Sequence, residues 1–133
     1  MELGLRDKVA IITGGSRGIG KATVLDFANE GCKVVFSARG EDALRATANE
    51  AKSTGADVLP VQADMTQTED IERLVRETVT TFGGIDILVN NVGGSRGGTT
   101  WDATDEEWAE VLYLNLFAAI RASRLVIPEM RKR

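Results

Sequence analysis

Histidine is absent from the 133-residue sequence, and cysteine occurs once, at Cys32. Without histidine the chain lacks the commonest general base, the usual partner of a nucleophilic serine or cysteine, and a frequent zinc ligand. One cysteine cannot build a disulfide framework, so we expect a reducing, cytoplasmic environment and no metal site. Any chemistry must therefore come from a cofactor, a tyrosine, a lysine or carboxylates.

Positive charge and long apolar runs are also scarce. The chain has 16 Lys and Arg against 20 Asp and Glu, a net charge of -4, so no overall positive field would attract nucleic acid or an anionic membrane. The first residues, MELGLRDK, lack the apolar segment of a signal peptide, and no uninterrupted apolar run approaches the about 18 residues of a membrane span. We expect neither nucleic acid nor a membrane as a partner.

Four short apolar runs recur at a steady interval: VAIIT, KVVFSA, DVLPVQA and DILVN, at residues 9–13, 33–38, 57–63 and 86–90. Each is typical of a strand buried on both faces. Helical patterns separate them, at about 19–30 and 41–54, and then from a capping box of Thr66 and Glu69 to Phe82. A fourth and longest helix is predicted from Thr104, with Glu107 as its capping partner, toward Pro128.

This alternation predicts one α/β domain over residues 1–133, a Rossmann-like doubly wound parallel sheet of about four strands with flanking helices. The stretch GGSRGGTT, residues 93–100, is predicted to be a mobile loop because it has four glycines and little to pack.

The most informative stretch is TGGSRGIG, residues 13–20, between the first strand and the first helix. In a doubly wound sheet this turn faces the ligand crevice, and the amides at the helix N-terminus bind anions. A side chain at Gly14 would obstruct the tight turn, one at Gly18 would crowd a pyrophosphate, and one at Gly20 would push the helix off the strand. The pattern therefore favours nucleotide binding over a merely structural glycine turn.

The spacing Gly-x-x-x-Gly-x-Gly after Thr13, the NNVG at 90–93 after the fourth strand, and Asn115 in the long helix together resemble the short-chain dehydrogenase/reductase family, over essentially the whole chain. The resemblance implies a bound nicotinamide dinucleotide. It implies cofactor contacts by Gly14, Ser16, Arg17, Gly18, Ile19 and Gly20, by Asp64 at the adenine, and by Asn91 and Gly93 near the nicotinamide-side ribose. It also implies that Asn115 belongs to the active-site tetrad, distorts its helix and holds a water of the proton relay. In NNVG the usual alanine is replaced by Val92.

Four residues of these motifs have simpler interpretations. Asp64 could satisfy backbone amides ahead of the third helix. Asn90 and Asn91 could be turn formers, since asparagine tolerates left-handed geometry. Asn115 could be a polar residue on a half-exposed helix face.

The second strand ends FSARGE, which places Ala38 where NAD-binding folds usually present a carboxylate to the ribose 2′-hydroxyl, and Arg39 next to it. A 2′-phosphate would meet no like charge and could be bound by the guanidinium of Arg39, with Arg17 as a second cation. We predict NADP(H) in preference to NAD(H). The alternative is that Arg39 is a solvated residue near the start of the second helix.

Family members carry a catalytic serine and a Tyr-x-x-x-Lys motif further along, whereas the only tyrosine here, Tyr113, is followed four residues later by Phe117. We interpret Tyr113 as a packing residue and the chain as the cofactor-binding half of the fold, nearly inactive alone because loss of acid–base catalysis costs about 100- to 10,000-fold. Its fourth strand would be an exposed edge and its long helix an exposed apolar surface, so we expect a homo-oligomer, a domain-swapped assembly or a completing fragment.

Three functions remain open. The first is an NADP(H)-dependent oxidoreductase that acts on an unknown carbonyl or alcohol substrate. The second is a non-catalytic module that binds a dinucleotide or a protein. The third is a structural remnant without cofactor binding.

Overall fold

A computed structural model describes residues 1–94 and 100–133. Four parallel strands form one sheet in the order β3-β2-β1-β4: β1 Val9–Ile12, β2 Lys33–Ala38, β3 Val58–Gln62 and β4 Ile87–Val89. The helices are α1 Gly18–Asn29, α2 Glu41–Lys52, α3 Thr68–Phe82, α4 Asp105–Leu112 and α5 Ala118–Met130, with a π-helical turn at Tyr113–Phe117. The predicted α/β class and parallel sheet are confirmed. Of the predicted mobile loop, residues 95–99 lie outside the described part of the chain.

Alternate residues of the central strands point to opposite faces of the sheet and build two cores. Ile11 and Val35 pack with residues of α3 and α5, and Ile12 and Phe36 pack with residues of α1 and α2. All these side chains are buried because both faces are covered by helices. The order of the strands reverses between β1 and β4, so the ends of these two strands open onto the crevice where such sheets bind ligands.

The prediction that all four strands are buried on both faces is wrong for β3 and β4. Most residues of β3 and all three of β4 are only partly buried, since each is an outer strand of the described sheet. Full burial is confirmed for β1, and β2 is buried except at Lys33.

The capping box predicted for the third helix is wrong. The helix begins at Thr68 after Gln67, and the Thr66 hydroxyl donates to Asp64 Oδ1 at 2.7 Å. Thr66 therefore precedes the cap position, Gln67, and no described side chain caps this helix start. At the fourth helix the prediction is confirmed, because Thr104 Oγ1 accepts from the Glu107 backbone amide at 3.2 Å.

Cys32 lies in the core, where its thiol donates to the Leu5 carbonyl at 3.2 Å. Burial raises the pKa of the thiol, and the negative charges of Glu30 and Asp86 raise it further. The group is therefore held as a neutral thiol, the unreactive form.

By length and composition alone, the helical stretch Asp105–Met130 could cross a membrane, with a mean hydropathy of 1.4 in its most apolar window. Its inner face packs on the sheet through Ala118, Ala122 and Val126. Its first turn is acidic, with Asp105 and two glutamates. The acidic first turn is favourable at a helix N-terminus, and the three inner residues place this face of the helix on the sheet.

Candidate functional site

In the turn after β1, glycines occupy positions where a side chain would be strained or would clash. Gly14 has a φ of +72°, a left-handed conformation that favours glycine, and its amide donates to Ser37 Oγ at 3.2 Å. The Gly15 amide donates to the Ser37 carbonyl at 2.8 Å, and a Cβ at Gly15 would lie 2.7 Å from the Phe36 ring. The turn is therefore held against the end of β2. Gly15 and Ser37 were missed in the sequence because their partners are more than twenty residues away.

Gly18 and Gly20 meet two different requirements. Gly18 opens α1 with a φ of +59°, and a Cβ there would have no described atom within 4 Å, so the space in front of it is open. A Cβ at Gly20 would overlap the Gly14 carbonyl oxygen and Asn91 Nδ2. The steric conflict at Gly20 thus lies with the turn and with the segment after β4, rather than with the strand itself as predicted.

The segment after β4 is fastened to the same turn. Buried Thr13 accepts at Oγ1 from the amides of Asn91 and Val92, at 3.0 and 3.2 Å, and Asn91 Nδ2 donates to the Gly14 carbonyl at 2.9 Å. Asn90 Nδ2 donates to Ser123 Oγ at 3.2 Å. Neither asparagine has a positive φ, so the left-handed turn interpretation is not what the structure shows. Both connect neighbouring elements through their side-chain amides.

A cavity of about 620 Å³ opens between this turn and the ends of β2, β3 and β4. Seven of the predicted site residues line it: Gly14, Ser16, Arg17, Arg39, Asp64, Asn91 and Gly93. Ala38 lines the cavity beside Arg39, where a carboxylate would stand in an NAD site. Gly18, Ile19, Gly20 and Asn115 are not among the lining residues, and the Ile19 side chain is 80% exposed at the start of α1.

The N-terminus of α1 is suited to an anion. Its cap residue, Arg17, is in an extended conformation, no described side chain caps the first turn, and that turn contains no acidic residue. Free amides at a helix start and the helix dipole favour negative charge. Arg17 adds a guanidinium on the wall of the same cavity. This arrangement fits a dinucleotide's pyrophosphate, with the open space at Gly18 leaving room for its close approach.

Asp64 lies on the cavity wall and also organises the loop before α3. Its Oδ1 accepts from the Thr66 amide at 2.9 Å and from the Thr66 hydroxyl, so the simpler interpretation of this carboxylate is part of what it does. Its place on the cavity wall is consistent with the predicted adenine contact. That contact stays a prediction.

Asn115 lies at the centre of the π-helical turn, so the helix is distorted where the family resemblance places a distortion. Its Oδ1 accepts from the Gly94 amide at 2.8 Å, and its Nδ2 donates to the carbonyls of Gly94 and Val111 at 2.7 and 2.9 Å. A Cβ at Gly93 would lie 2.8 Å from the same Oδ1. The side chain therefore binds the helix to the segment after β4, and its role in a proton relay stays a prediction.

Replacing Asn115 by alanine is expected to lower the free energy of unfolding by about 1–2 kcal/mol, since three hydrogen bonds at an exposed site are lost. Asn49→Ala, on the exposed face of α2, is the matched control and should change stability by less than about 0.5 kcal/mol. Urea unfolding of both variants measures the difference. Equal losses would show that the contacts with Gly94 contribute nothing.

Tyr113 makes ring contacts along its own helix. Its ring is 43% exposed, lies 5.1 Å from the Phe117 ring centroid, and has the Arg121 guanidinium 4.9 Å from its own centroid. The tyrosine thus packs along the helix surface, in agreement with its interpretation as a packing residue.

Comparison with known proteins agrees with this geometry. Residues 8–133 match the short chain dehydrogenase family. The uncharacterized oxidoreductase YvrD of Bacillus subtilis is 37% identical over 98% of this chain and 49% of its own length. The 3-oxoacyl-[acyl-carrier-protein] reductase FabG of Staphylococcus epidermidis is 32% identical over 93% of this chain and 51% of its own. The chain spans about half the length of the curated relatives it matches.

Two solved structures are similar over nearly the whole chain. L-Sorbose reductase from Gluconobacter frateurii, complexed with NADPH and L-sorbose, superposes with a TM-score of 0.95 at 41% identity, covering 100% of this chain and 51% of that one. An NADH-dependent reductase complexed with NAD superposes with a TM-score of 0.92 at 31% identity, covering 99% of this chain and 55% of that one. On these matches and on the geometry of its glycine turn, the chain belongs to the short-chain dehydrogenase/reductase family of nicotinamide-dependent oxidoreductases.

Proposed function

We propose that this chain forms the NADP(H)-binding part of a short-chain oxidoreductase that acts on a carbonyl or alcohol substrate. The observation that carries the proposal is the cavity wall at the end of β2, where Ala38 replaces a carboxylate and Arg39 follows. Arg17, on the same wall, adds a second cation. Solved relatives use either NADPH or NAD, so the preference rests on these side chains.

The residues present fit the cofactor. The turn at Gly14 and Gly20 leaves no room for side chains behind the cavity, while Gly18 leaves open space in front of α1. When bound, the nicotinamide supplies hydride-transfer chemistry to the enzyme. The chain's own residues bind and orient the cofactor: α1 amides and Arg17 at the pyrophosphate, Asp64 at the adenine, and Asn91 and Gly93 toward the nicotinamide-side ribose.

Fluorescence titration with each coenzyme tests the preference. NADPH is expected to bind at least about tenfold more tightly than NADH, since one charged hydrogen bond contributes about 1.5–3 kcal/mol. Tighter binding of NADH would overturn the assignment of NADP(H) and leave the dinucleotide site itself intact.

A second candidate is a non-catalytic dinucleotide-binding module. It is compatible with the surroundings of Tyr113, which is exposed, stacks on Phe117 and has no lysine four residues later. Turnover of a carbonyl panel with NADPH distinguishes the two functions. Binding without measurable oxidation of NADPH would support the module, and turnover would support the oxidoreductase.

We also propose that the protein is an oligomer. The strand β4 is an outer strand of the described sheet, and the long helix exposes Trp108, Leu112, Leu116 and Ile127. Such an apolar surface is typical of one that another chain covers. Light scattering at high concentration should show a dimer or a larger species, whereas a sharp monomer would contradict the proposal.

The single buried thiol is compatible with the cytoplasmic location that we propose.

A further inference from the structure

A series of polar contacts runs behind the cavity and connects two of its walls. Gln62 Nε2 donates to the Arg39 carbonyl at 2.9 Å, and Arg73 Nη2 donates to the Gln62 carbonyl at 2.6 Å. Arg73 also pairs with Asp70 at 3.6 Å, and Asp70 Oδ2 accepts from the Asp64 amide at 2.7 Å. The series therefore begins at Arg39, on the proposed 2′-phosphate side, and ends at Asp64, on the proposed adenine side.

Gln62 lies at the point where the hydrogen-bond ladder between β2 and β3 ends. The last ladder contact between β2 and β3 at this end is the Ala63 amide donating to the Ala38 carbonyl at 3.0 Å. One residue further, at Arg39, the side chain of Gln62 supplies the bond to the backbone. Gly40 follows directly, and a glycine leaves the chain more backbone freedom than any other residue. Without the Gln62 contact, the backbone that carries Arg39 could therefore adopt other conformations.

Arg73 binds the backbone of Gln62, and Asp70 pairs with Arg73. Both side chains are about one third exposed, so each contact is modest, but the Arg73 guanidinium bonds the Gln62 backbone while it also pairs with Asp70 and Glu77. Because Arg73 and Asp70 belong to α3, this helix fixes the position of Gln62 relative to Arg39.

We propose that Gln62 is a positioning residue that sets the discrimination between NADPH and NADH by fixing the backbone of Arg39. The inference rests on the proposed function, in which Arg39 binds the 2′-phosphate. NADPH and NADH differ only in that phosphate. Loss of the positioning contact should therefore weaken NADPH binding and leave NADH binding nearly unchanged, which a general loss of structure would not do.

The test compares Gln62→Met, which keeps the length of the side chain and removes its amide, with the matched control Gln67→Met. Gln67 lies on the loop before α3, where its side-chain amide contacts only the neighbouring Thr66 hydroxyl at 3.4 Å among the described contacts. In Gln62→Met the dissociation constant for NADPH is expected to rise about 3- to 10-fold, the effect of one net hydrogen bond, while that for NADH stays within about 2-fold. The control should leave both constants unchanged.

A second variant, Arg73→Met, keeps the Gln62 side chain and should shift the ratio of the two constants in the same direction by a smaller factor. It also tests the inference if Gln62→Met does not fold. Equal changes for both coenzymes, or no change in either variant, would overturn the positioning role. A wild-type chain that binds NADH more tightly would instead overturn the proposed NADP(H) preference, so the two failures are distinguishable.

Discussion

Gly20→Ala is expected to lower the free energy of unfolding by about 1–3 kcal/mol or more, although alanine is the better helix former by about 1 kcal/mol. The new methyl group would overlap the Gly14 carbonyl oxygen and the Asn91 side-chain amide. One of these neighbours is backbone of a turn held by two hydrogen bonds to Ser37, so it cannot move without breaking them. Steric overlap therefore outweighs helix propensity, and urea unfolding measures the net effect.

The matched control is Gly40→Ala. Gly40 precedes α2 with a φ of -87°, and a Cβ there would have no described atom within 4 Å. Its effect is expected to stay below about 1 kcal/mol, the cost of a poorer residue at the cap position of α2. If Gly20→Ala were as stable as this control, the close packing of α1 on the turn would be wrong. NADPH binding by the folded Gly20→Ala protein should also fall about tenfold or more, because the displaced turn carries the pyrophosphate site.

The double substitution Ala38→Asp with Arg39→Leu is expected to reverse the coenzyme preference. A carboxylate at 38 would repel the 2′-phosphate of NADPH and could accept from the 2′-hydroxyl of NADH. Removal of Arg39 deletes the cation on the same wall. Since a charged hydrogen bond contributes about 1.5–3 kcal/mol, NADPH affinity should fall about 10- to 100-fold or more, while NADH affinity holds or improves.

Arg45→Leu controls for the loss of one positive charge. Arg45 lies on α2 and pairs with Glu41 at 2.6 Å, outside the lining of the cavity. Because exposed charges are screened over about 8–10 Å in physiological salt, its removal should change both affinities by less than about 2-fold. An unchanged ratio of NADPH to NADH affinity in the double variant would show that this wall does not choose the coenzyme.

The sequence predicted those features that depend on local pattern. Runs of apolar residues located the strands, and Thr104 marked the start of α4, because both signals lie within a few residues of the structure they specify. The predicted capping box at Thr66 failed because the helix begins two residues later, at Thr68, with Gln67 at the cap position. A pattern of residue types locates the start of a helix only to within one or two residues.

The features that the sequence did not predict depend on contacts between residues far apart in the chain. Gly15 is constrained by the Phe36 ring, Thr13 by the amides after β4, and Gln62 by the carbonyl of Arg39. Each contact crosses more than twenty residues and exists only once the strands are side by side. The distortion at Asn115 could be predicted only through the family resemblance, since helix periodicity continues through it.

Calorimetric titration of the folded chain with NADPH and with NADH tests the central claim most directly. That claim is the binding of a dinucleotide's pyrophosphate at the amides that open α1, beside Arg17. We predict saturable heat with a stoichiometry near one per chain and tighter binding of NADPH. A folded protein, verified by circular dichroism, that shows no heat with either coenzyme at millimolar concentration would contradict the account.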